Sequence, residues 1–522
     1  MNNAKELKPF YVTTPIYYPN AVPHLGHAYT TVFGDSIHRY HRLMGYDSIF
    51  LTGTDEHGQK VADAAKDAGL SAQAHVDALA EKFQATWKNL HADISIFMRT
   101  TKPTHIAGVK AVLSKLHKEG LIYKDTHEGW YCVSEEIFYT EKDLVDGKSP
   151  TGKEVTWVSE SNYFFKMSQY QEQMISYFSD HQDFIIPASR RAEILGFLKQ
   201  PLQDLCISRP KSRLSWGIEM PFDPEFVCYV WFDALLNYVT ALGYQDPQAD
   251  QTRFQNYWPT TVHLLGKDIL TTHAVYWISM LMALKLPLPR HIYAHGWWLN
   301  SAGKKMSKSE GDTVSPDKLI ELLGADQTRY YLVRGMRMGN DASFNFDQVV
   351  TTLNDELADK FGNLLSRSST IAAQSFDGTL GTPDLKEARS LQIKEEALKT
   401  VEAVWSFVQN MEPEMGLQRI AAYLTDVNKY ISDMAPWKLV KTEEGKPLAA
   451  EVLWVCLESC RLAATLLWPV IPGKSEAVLN HLGVVNFTPD PQWLTWGKLP
   501  HGLKVKKAEP LFPKLERAKL PA

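Results

Sequence analysis

Phe10-Tyr11-Val12-Thr13-Thr14-Pro15 is the stretch of sequence that decides the fold. This run of aromatic and β-branched residues predicts a buried strand that ends at Pro15. A second apolar run, Ser48 to Thr52, predicts a strand that ends at Gly53, and His27 to Met44 between the two has helical periodicity. The order strand, loop, helix, strand predicts an α/β fold with a doubly wound parallel sheet, in which ligands bind at the carboxyl ends of the strands.

The same α/β pattern returns later in the chain. Further strands are predicted at Phe226 to Trp231, Thr261 to Leu265 and His291 to Ala294, alternating with helices such as Thr271 to Ala283. The intervening segment, roughly His117 to Asp223, mixes short strand-like pieces with helix and is too short for a separate editing module. We therefore predict one Rossmann-like domain that is split by a connective insertion.

The last third of the chain is predicted to be an all-α bundle. From about Val349 to the end, long amphipathic helices dominate. The longest apolar stretch, Leu448 to Val470, contains Glu451, Glu458 and Arg461, which a lipid-facing span would not tolerate cheaply. We therefore expect a buried bundle helix here and no membrane span.

Composition fits a folded enzyme of several domains. A length of 522 residues predicts two to four domains, and 44% hydrophobic with 22% charged residues excludes a disordered chain. The net charge of −5 means that any nucleic-acid surface must be a local patch. The start of the chain lacks a signal or transit pattern. The cysteines are scattered, which favours a reducing cytoplasm over a disulfide scaffold; they are Cys132, Cys206, Cys228, Cys456 and Cys460.

The motif Pro23-His24-Leu25-Gly26-His27 lies between the first strand and its helix. Both histidines should share one face at the helix amino terminus, where free N–H groups and the positive dipole end favour an anion such as phosphate. Gly26 leaves room for a nucleotide beside the backbone. Taken alone, the motif favours a pair of surface or metal-binding histidines over a phosphate site.

A second motif, Gly303-Lys304-Lys305-Met306-Ser307-Lys308-Ser309, follows a predicted strand much later in the chain. Lys308 can place a point charge on the phosphates of ATP, with Lys305 assisting, while Gly303 and the serines permit loop closure. Two phosphate-directed motifs in this order on one α/β scaffold are far more specific than either alone. In both motifs the chain resembles the class I aminoacyl-tRNA synthetases.

Further motifs resemble the methionyl-tRNA synthetases within that class, over nearly the whole chain. They are Thr13-Thr14-Pro15-Ile16-Tyr17-Tyr18-Pro19-Asn20, Gly53-Thr54-Asp55-Glu56-His57-Gly58, Tyr229-Val230-Trp231-Phe232-Asp233-Ala234, Gly266-Lys267-Asp268-Ile269, Ala294-His295-Gly296 and Ala435-Pro436-Trp437. The resemblance implies a methionine–tRNA ligase, which forms methionyl-adenylate and pyrophosphate from methionine and ATP and then acylates the 3′ end of tRNA(Met).

The resemblance also implies a methionine site. Asp55 would hold the substrate ammonium, with Ile16 and Tyr18 at the pocket floor. The residues that would surround the thioether, where sulfur gains from aromatic neighbours, are Trp231, Ala234, Leu235, Tyr238, Ile269, His273 and Trp277.

Residues for ATP and catalysis follow from the same resemblance. Gly266 and Asp268 would face the ribose, His295 and Gly26 the nucleotide, Lys308 its phosphates, and Arg209 the reacting groups. The methionine carboxylate attacks the α-phosphorus in line, so the protein mainly positions both partners and stabilises charge. That stabilisation would come from Mg²⁺, which travels with ATP, and from His24, His27, Lys305 and Lys308.

For the RNA, the resemblance implies that Asn363, Arg367 and Trp437 read the anticodon of tRNA(Met). Asn363 and Arg367 are one helical turn apart and so share a face. A tryptophan that stacks on bases beside a polar pair suits a single-stranded loop.

The sequence departs from the family pattern in two places, and each departure leads to an expectation. Cys132 is followed by Glu135 where a zinc knuckle would have its second cysteine, and Asp146 to Thr156 contains none, so we expect no structural zinc and no other resident metal. The chain also stops soon after Leu511-Phe512-Pro513, without the appended domain that dimerises some relatives, so we expect a monomer.

Three rival assignments stay open at this stage. Another class I synthetase, for cysteine, leucine, isoleucine or valine, is disfavoured because the chain lacks a large editing insertion and has no cysteine before Cys132 for an early catalytic zinc. A noncatalytic tRNA-binding paralogue would not need two phosphate motifs. A metal-dependent hydrolase built on the histidine pair lacks a nearby carboxylate–histidine ligand set.

The predicted domains, with the roles that the resemblance implies, follow chain order. They are the first half of the catalytic domain (1–116), the connective insertion (117–225), the second catalytic half (226–295), the lysine–serine loop with a stem-contact region (296–348), and a helical anticodon-binding domain (349–522).

Overall fold

The structure is a computed structural model that describes residues 7–132, 137–300, 303–304, 306 and 314–521. Within these ranges the strands are β1 (Lys8–Tyr17), β2 (Tyr46–Thr54), β3 (Ile96–Arg99), β4 (Ile122–Cys132), β5 (Ile137–Tyr139), β6 (Thr156–Phe165), β7 (Ile185–Ile186), β8 (Leu205–Cys206), β9 (Ser208–Pro210), β10 (Glu219–Met220), β11 (Asp223–Cys228), β12 (Thr261–Gly266), β13 (His291–His295), β14 (Trp298–Leu299) and β15 (Ala342–Ser343).

The helices of the catalytic part are α1 (Leu25–Leu43), α2 (Gln59–Asp67), α3 (Ala72–Asn89), α4 (Pro103–Lys118), α5 (Gln171–Asp180), α6 (Ala188–Phe197), α7 (Val230–Leu235), α8 (Asn237–Thr240), α9 (Gln251–Tyr257) and α10 (Ile278–Leu284), the last preceded by a π-helical segment, Thr272–Trp277. The later helices are α11 (Pro316–Leu323), α12 (Ala325–Arg334), α13 (Phe346–Thr352), α14 (Asn363–Phe376), α15 (Ala388–Gln409), α16 (Pro413–Met434), α17 (Pro436–Leu439), α18 (Lys446–Leu467) and α19 (Pro472–His481), with a π-helical segment at Leu353–Gly362.

The central sheet of the described residues has the strand order β3-β2-β1-β12-β13-β7, and every pair is parallel. This confirms the predicted doubly wound α/β core with its Rossmann-like sheet. The chain moves outward from β1 to β3 on one side and returns through β12 and β13 on the other. The strand order therefore reverses between β1 and β12, and a ligand crevice is expected outside their carboxyl ends.

Two predicted strands are wrong in detail. The first strand does not end at Pro15 but continues to Tyr17, because a shift of register between Thr13 and Ile16 accommodates the proline, which has no N–H for the ladder. The strand predicted at Phe226 to Trp231 ends at Cys228 and pairs antiparallel in a small sheet with β9 and β10. Its last residues instead begin α7, whose first turn contains an acidic residue, Asp233.

The inserted segment forms its own antiparallel sheet in the order β5-β4-β6-β8. The long β4–β6 pairing runs from Ile122↔Phe165 to Tyr131↔Thr156. One strand of this part of the chain behaves differently: β7 pairs parallel with β13 at the edge of the central sheet. A strand of two residues is too short to show periodicity, so it could not be predicted from the sequence.

The helical region confirms the predicted bundle, whose core is α18. Its residues from Val452 to Leu467 are all buried, including Glu458 and Arg461, which form an ion pair at 2.7 Å. The expectation that helices continue to the end is wrong, since the chain after α19 runs mostly without regular structure over the bundle, with Leu494, Leu499 and Phe512 buried. Among the described residues, none of the helices has the length and apolar character needed to cross a membrane.

Buried contacts fasten α1 to the bundle. Arg329 of α12 lies 2.6 Å from Asp35 of α1 and donates to the carbonyl oxygens of Pro469 and Val470 at 2.9 and 2.6 Å. The hydroxyl of Tyr40 donates to the carbonyl of Leu466 at 3.0 Å. A buried charge is retained only when it is paired and hydrogen-bonded, so this network fixes the far end of α1 and thereby the direction of its amino terminus.

Candidate active site

His24 and His27 form a stacked pair at the start of α1. His24 is the N-cap, and its Nδ1 accepts from the backbone N–H groups of Gly26 at 3.1 Å and His27 at 3.4 Å. The two rings stack at 3.6 Å between centroids, both half-buried. A side chain on Gly26 would lie 3.0 Å from the His24 ring, so the glycine makes room for that imidazole. The imidazoles thus occupy the positive end of the helix, where an anion is favoured.

Gly266, Asp268 and His295 come together at the ends of β12 and β13. Gly266 is in register with His295. A Cβ on Gly266 would lie 2.6 Å from Oδ1 of Asp268 and 3.6 Å from Cε1 of His295, so only glycine leaves that carboxylate its position. These residues lie at the same sheet edge as the histidine pair, which follows β1, because β1, β12 and β13 are parallel neighbours.

His295 also touches α1. Its Nε2 lies 2.8 Å from the Thr30 hydroxyl, and the Tyr29 ring meets its ring edge-on at 4.9 Å. Burial lowers the pKa of His295. The contacts join the helix that begins with His24 to the strand that ends with His295.

A second cluster, of buried aromatic residues, surrounds Tyr238. Its hydroxyl lies 2.7 Å from Nε2 of His273, whose Nδ1 lies 3.0 Å from the carbonyl oxygen of Ile269. Since a carbonyl can only accept, Nδ1 donates, and in the neutral ring Nε2 accepts from the tyrosine. Burial lowers the pKa of His273 to about 4, so the neutral form prevails at pH 7.

His263 completes this cluster, and this histidine was not predicted from the sequence. Trp277 Nε1 donates to its Nε2 at 3.1 Å, and its Nδ1 lies 2.7 Å from the Thr13 hydroxyl. An indole N–H can only donate, so Nε2 of His263 is the acceptor. Burial holds the pKa of His263 well below its usual value. A histidine within the apolar strand β12 was the available signal, but the alternation pattern alone favours a core position.

The remaining residues predicted for methionine are nearby. Tyr18 and Trp231 meet edge-to-face at 6.3 Å. Asp55 is buried directly after β2, and its negative charge adds to burial in raising the pKa of Tyr238. Ile16, Tyr18, Trp231 and Ile269 pack against the buried core that contains Leu235, Tyr238 and Trp277. Ala234 is buried on α7.

Arg209 lies against one aromatic ring from the insertion and one from the second catalytic half. Its guanidinium is 5.1 Å from the ring centre of Tyr131 and 4.7 Å from that of Tyr229, and Nη1 donates to the Ser208 carbonyl at 2.7 Å. Tyr229 immediately precedes α7, so Arg209 adjoins the wall that carries Trp231. Arginine stacked in this way keeps donors in a fixed fork.

The lysine–serine motif is described only in part. Lys305 and Lys308 lie outside the described residues. Before them, Gly303 has a positive φ of 73° in a turn in which Asn300 Oδ1 accepts from the Lys304 backbone at 2.9 Å. Met306 packs against the main core.

The three residues predicted for the anticodon share one surface of the bundle. The guanidinium of Arg367 on α14 lies 5.3 Å from the ring centre of Trp437, which is 36% exposed at the start of α17. Asn363 is exposed one turn before Arg367. An accessible indole beside a cation is suited to stacking on an unpaired base.

Cys132 is buried at the end of β4, whereas Glu135 lies outside the described residues. In the part of the chain that the structure describes, no group of three or more His, Cys, Asp or Glu side chains is arranged to bind a metal ion.

Comparison with known proteins shows which protein families the chain matches. A family described as "tRNA synthetases class I (M)" matches residues 10–154 and 141–369, and "Anticodon binding domain of methionyl tRNA ligase" matches 384–521. The methionine–tRNA ligase of Caldanaerobacter subterraneus subsp. tengcongensis is 41% identical over 98% of this chain and 79% of its own, and that of Clostridium acetobutylicum 42% over the same shares. The Mycobacterium tuberculosis methionyl-tRNA synthetase in complex with methionyl-adenylate superposes with a TM-score of 0.92 and 38% identity, covering 97% of this chain and 100% of that one.

A parallel sheet with its crevice at the β1/β12 reversal, a histidine pair at the first helix and the first family match define a class I aminoacyl-tRNA synthetase. Within that class the chain belongs to the methionyl-tRNA synthetases, and its activity is that of a methionine–tRNA ligase. This membership settles the choice against the rival synthetases, the noncatalytic paralogue and the hydrolase.

Proposed function

We propose that this chain activates methionine with ATP to methionyl-adenylate, releases pyrophosphate, and transfers the methionyl group to the 3′ end of tRNA(Met). The M. tuberculosis relative was solved with methionyl-adenylate, which supports the first step, and the anticodon-binding match supports tRNA as the acceptor. The single observation that carries the proposal is that a histidine pair at a helix amino terminus and a buried aromatic cluster border the same reversal of the sheet.

Methionine would lie across the aromatic cluster, with its ammonium at Asp55. Tyr238 and Trp277 offer ring faces and edges to the thioether, and sulfur gains from such neighbours. Leucine fills a similar volume but lacks the polarizable atom. Arg209, fixed against Tyr229, would face the reacting carboxylate and phosphate.

ATP would lie between α1 and the ends of β12 and β13. His24 and His27 would stabilise the negative charge that builds on the α-phosphate as the carboxylate attacks, and Asp268 would accept from the ribose hydroxyls. Lys305 and Lys308 would contribute from the facing loop, and His295 and Gly266 would border the nucleotide.

Mg²⁺ would enter with the triphosphate, since one carboxylate with phosphate oxygens and waters satisfies its octahedral shell. Asp268 provides a carboxylate on the loop after β12. The ion would neutralise charge on the leaving pyrophosphate.

The remaining assignments are also proposals. Asn363, Arg367 and Trp437 would read the anticodon of tRNA(Met), and the domains would divide at 116, 225, 295 and 348 as predicted. The insertion would contain no zinc, and the protein would act as a cytoplasmic monomer. Metal analysis and light scattering of the purified chain test the last two expectations: stoichiometric zinc or a dimer would contradict them.

ATP–pyrophosphate exchange tests the core of the proposal. Purified protein is assayed without tRNA against methionine, leucine and cysteine separately, with and without Mg²⁺. We expect methionine-dependent exchange that requires Mg²⁺. Exchange with leucine or cysteine, and none with methionine, would overturn the proposed pocket.

A further inference from the structure

A buried carboxylate outside the predicted site joins two separate parts of the methionine pocket. Asp233 of α7 is fully buried, and histidines from distant segments lie against its two oxygens. Nδ1 of His57 is 2.6 Å from Oδ2, and Nε2 of His105 is 2.7 Å from Oδ1. A carboxylate accepts from both rings, and two charge-assisted bonds of this length are strong.

The first arm of this network reaches the ammonium side of the pocket. His57 is two residues beyond Asp55, and its ring lies 5.5 Å from that of Trp216. Trp216 Nε1 donates to the carbonyl of Glu56 at 2.6 Å, and the Glu56 carboxylate accepts from Arg99 Nε, also at 2.6 Å. Glu56, the residue next to Asp55, is therefore held by Trp216 at its carbonyl and by Arg99 at its carboxylate.

The second arm reaches the thioether side. His105 on α4 uses its other nitrogen, Nδ1, for a contact of 2.7 Å with the Thr240 hydroxyl of α8. Asp233 itself lies in α7 between Trp231 and Ala234, and Thr240 follows Tyr238 by two residues. Both helices that carry the predicted pocket wall are thus fastened through this one carboxylate.

The network is built for a fixed ionised carboxylate. Burial alone would oppose ionisation, but the charges and hydrogen bonds of His57 and His105 hold the pKa of Asp233 below its usual value. One histidine nitrogen lies against each oxygen of the carboxylate, so the cluster is arranged to hold its own elements together. This arrangement is suited to holding neighbouring side chains of the pocket in position.

Building on the proposed methionine pocket, we propose that Asp233 is a positioning residue that sets the spacing between Asp55 and the wall of Trp231 and Tyr238. These parts come from the two catalytic halves, and His57 and Asp233 are 176 positions apart in the chain. A substrate that must meet a carboxylate with its ammonium and an aromatic wall with its sulfur depends on that spacing.

The test is Asp233→Asn, which keeps shape but replaces one accepting oxygen by a donor. We expect the KM for methionine in ATP–pyrophosphate exchange to rise about tenfold while the KM for ATP stays within about twofold, because uniform binding of one substrate is lost. We also expect poorer discrimination against norleucine, in which a methylene replaces the sulfur. Equal changes in both KM values, or none in a folded variant, would overturn the proposal.

Two further variants separate positioning from folding. Glu458→Gln disrupts an equally buried carboxylate, paired with Arg461 in α18 far from the pocket; it should lower the melting temperature without a selective change in the KM for methionine. If Asp233→Asn does not fold, His105→Leu, which has no donor for Asp233, breaks one arm only and should raise the KM for methionine by a smaller factor. A stable His105→Leu protein with unaltered KM would count against the proposal.

The proposed pocket and this inference can fail separately. If the pocket is wrong, Tyr238→Ala will leave the KM for methionine unchanged. If only the role of Asp233 is wrong, Tyr238→Ala will raise that KM and Asp233→Asn will not.

Discussion

The two ends of the catalytic crevice are built differently. At the methionine end, Tyr238 and His273 are 2% and 1% exposed, and their polar atoms are engaged with one another. At the nucleotide end, His24 and His27 are half-buried; His24 accepts from backbone N–H groups of its own helix turn, and the two rings stack on each other. On the proposed site assignments, this difference means that the amino acid would be selected by a buried, interlocked cluster, whereas charge would be stabilised by groups accessible to a large anion.

The largest effect should come from removing the proposed counter-charge of the substrate ammonium at the enclosed end. Asp55→Asn leaves the substrate ammonium buried without its counter-charge, which costs roughly 2–5 kcal/mol, or about 30-fold to several thousandfold in kcat/KM for methionine. Steady-state exchange kinetics measure this. The KM for ATP serves as the internal control, and a loss below about threefold would mean that the ammonium lies elsewhere.

At the open end, loss of an imidazole should reduce rate rather than affinity. His27→Ala should lower kcat of exchange about a hundredfold or more, as for other donors aimed at developing charge, and leave the KM for methionine near its original value. Rapid-quench measurement of adenylate formation isolates this step.

The role of His24 must be tested with two matched variants, because its side chain also caps α1. His24→Asn keeps an N-cap acceptor and His24→Ala does not, a difference of about 1 kcal/mol in stability. Both should lose rate equally if the imidazole acts on phosphate. Full activity in His24→Asn would reduce the role of His24 to capping.

The sequence predicted the open end better than the enclosed one, for a physical reason. His24, Gly26 and His27 are adjacent in the chain, so one helix start brings them together, and the periodicities of β1, α1 and β2 are local. The enclosed end joins Asp55, His105, Asp233 and His263 from elements far apart in sequence. No local pattern marks such tertiary pairs, and a polar residue within an apolar run is easily read as part of the core.

The segment Tyr229 to Leu235 shows the same limit at the level of secondary structure. Its aromatic and β-branched residues favour a strand by composition. The fold instead begins α7 at Val230, and Asp233 in its first turn meets two histidine partners from distant segments. Tertiary hydrogen bonds override local propensity at the residues that form the pocket wall.

The enclosed end should also be sensitive to acid. Burial lowers the pKa of His273 to about 4, below the value near 6.5 of an unfolded chain. The unfolded state therefore binds more protons between these values, so stability is fully present above pH 6.5 and falls as the pH drops towards 4. For His273 alone the loss by pH 5 is about 2 kcal/mol.

Urea unfolding at pH 7, 6 and 5 measures this loss. Other buried histidines, among them His38 and His41, add to the total, so the comparison is with His273→Gln, which offers a donor and an acceptor but does not titrate. The variant should lose less stability over this range. Parallel curves for the two proteins would contradict a buried, neutral His273.

The smallest effect is expected far from both ends, on the bundle surface. Arg367→Met keeps an unbranched side-chain stem but removes the cation over Trp437, an interaction worth about 0.5–1 kcal/mol at exposed sites. The KM for tRNA in aminoacylation should rise about two- to fivefold, while tRNA-independent exchange should stay unchanged, since neither end of the crevice is altered. A matched Arg389→Met change, at a surface ion pair with Asp433, controls for loss of charge. If both variants weaken tRNA equally, general electrostatic attraction explains the effect, and Arg367 has no special place beside the tryptophan.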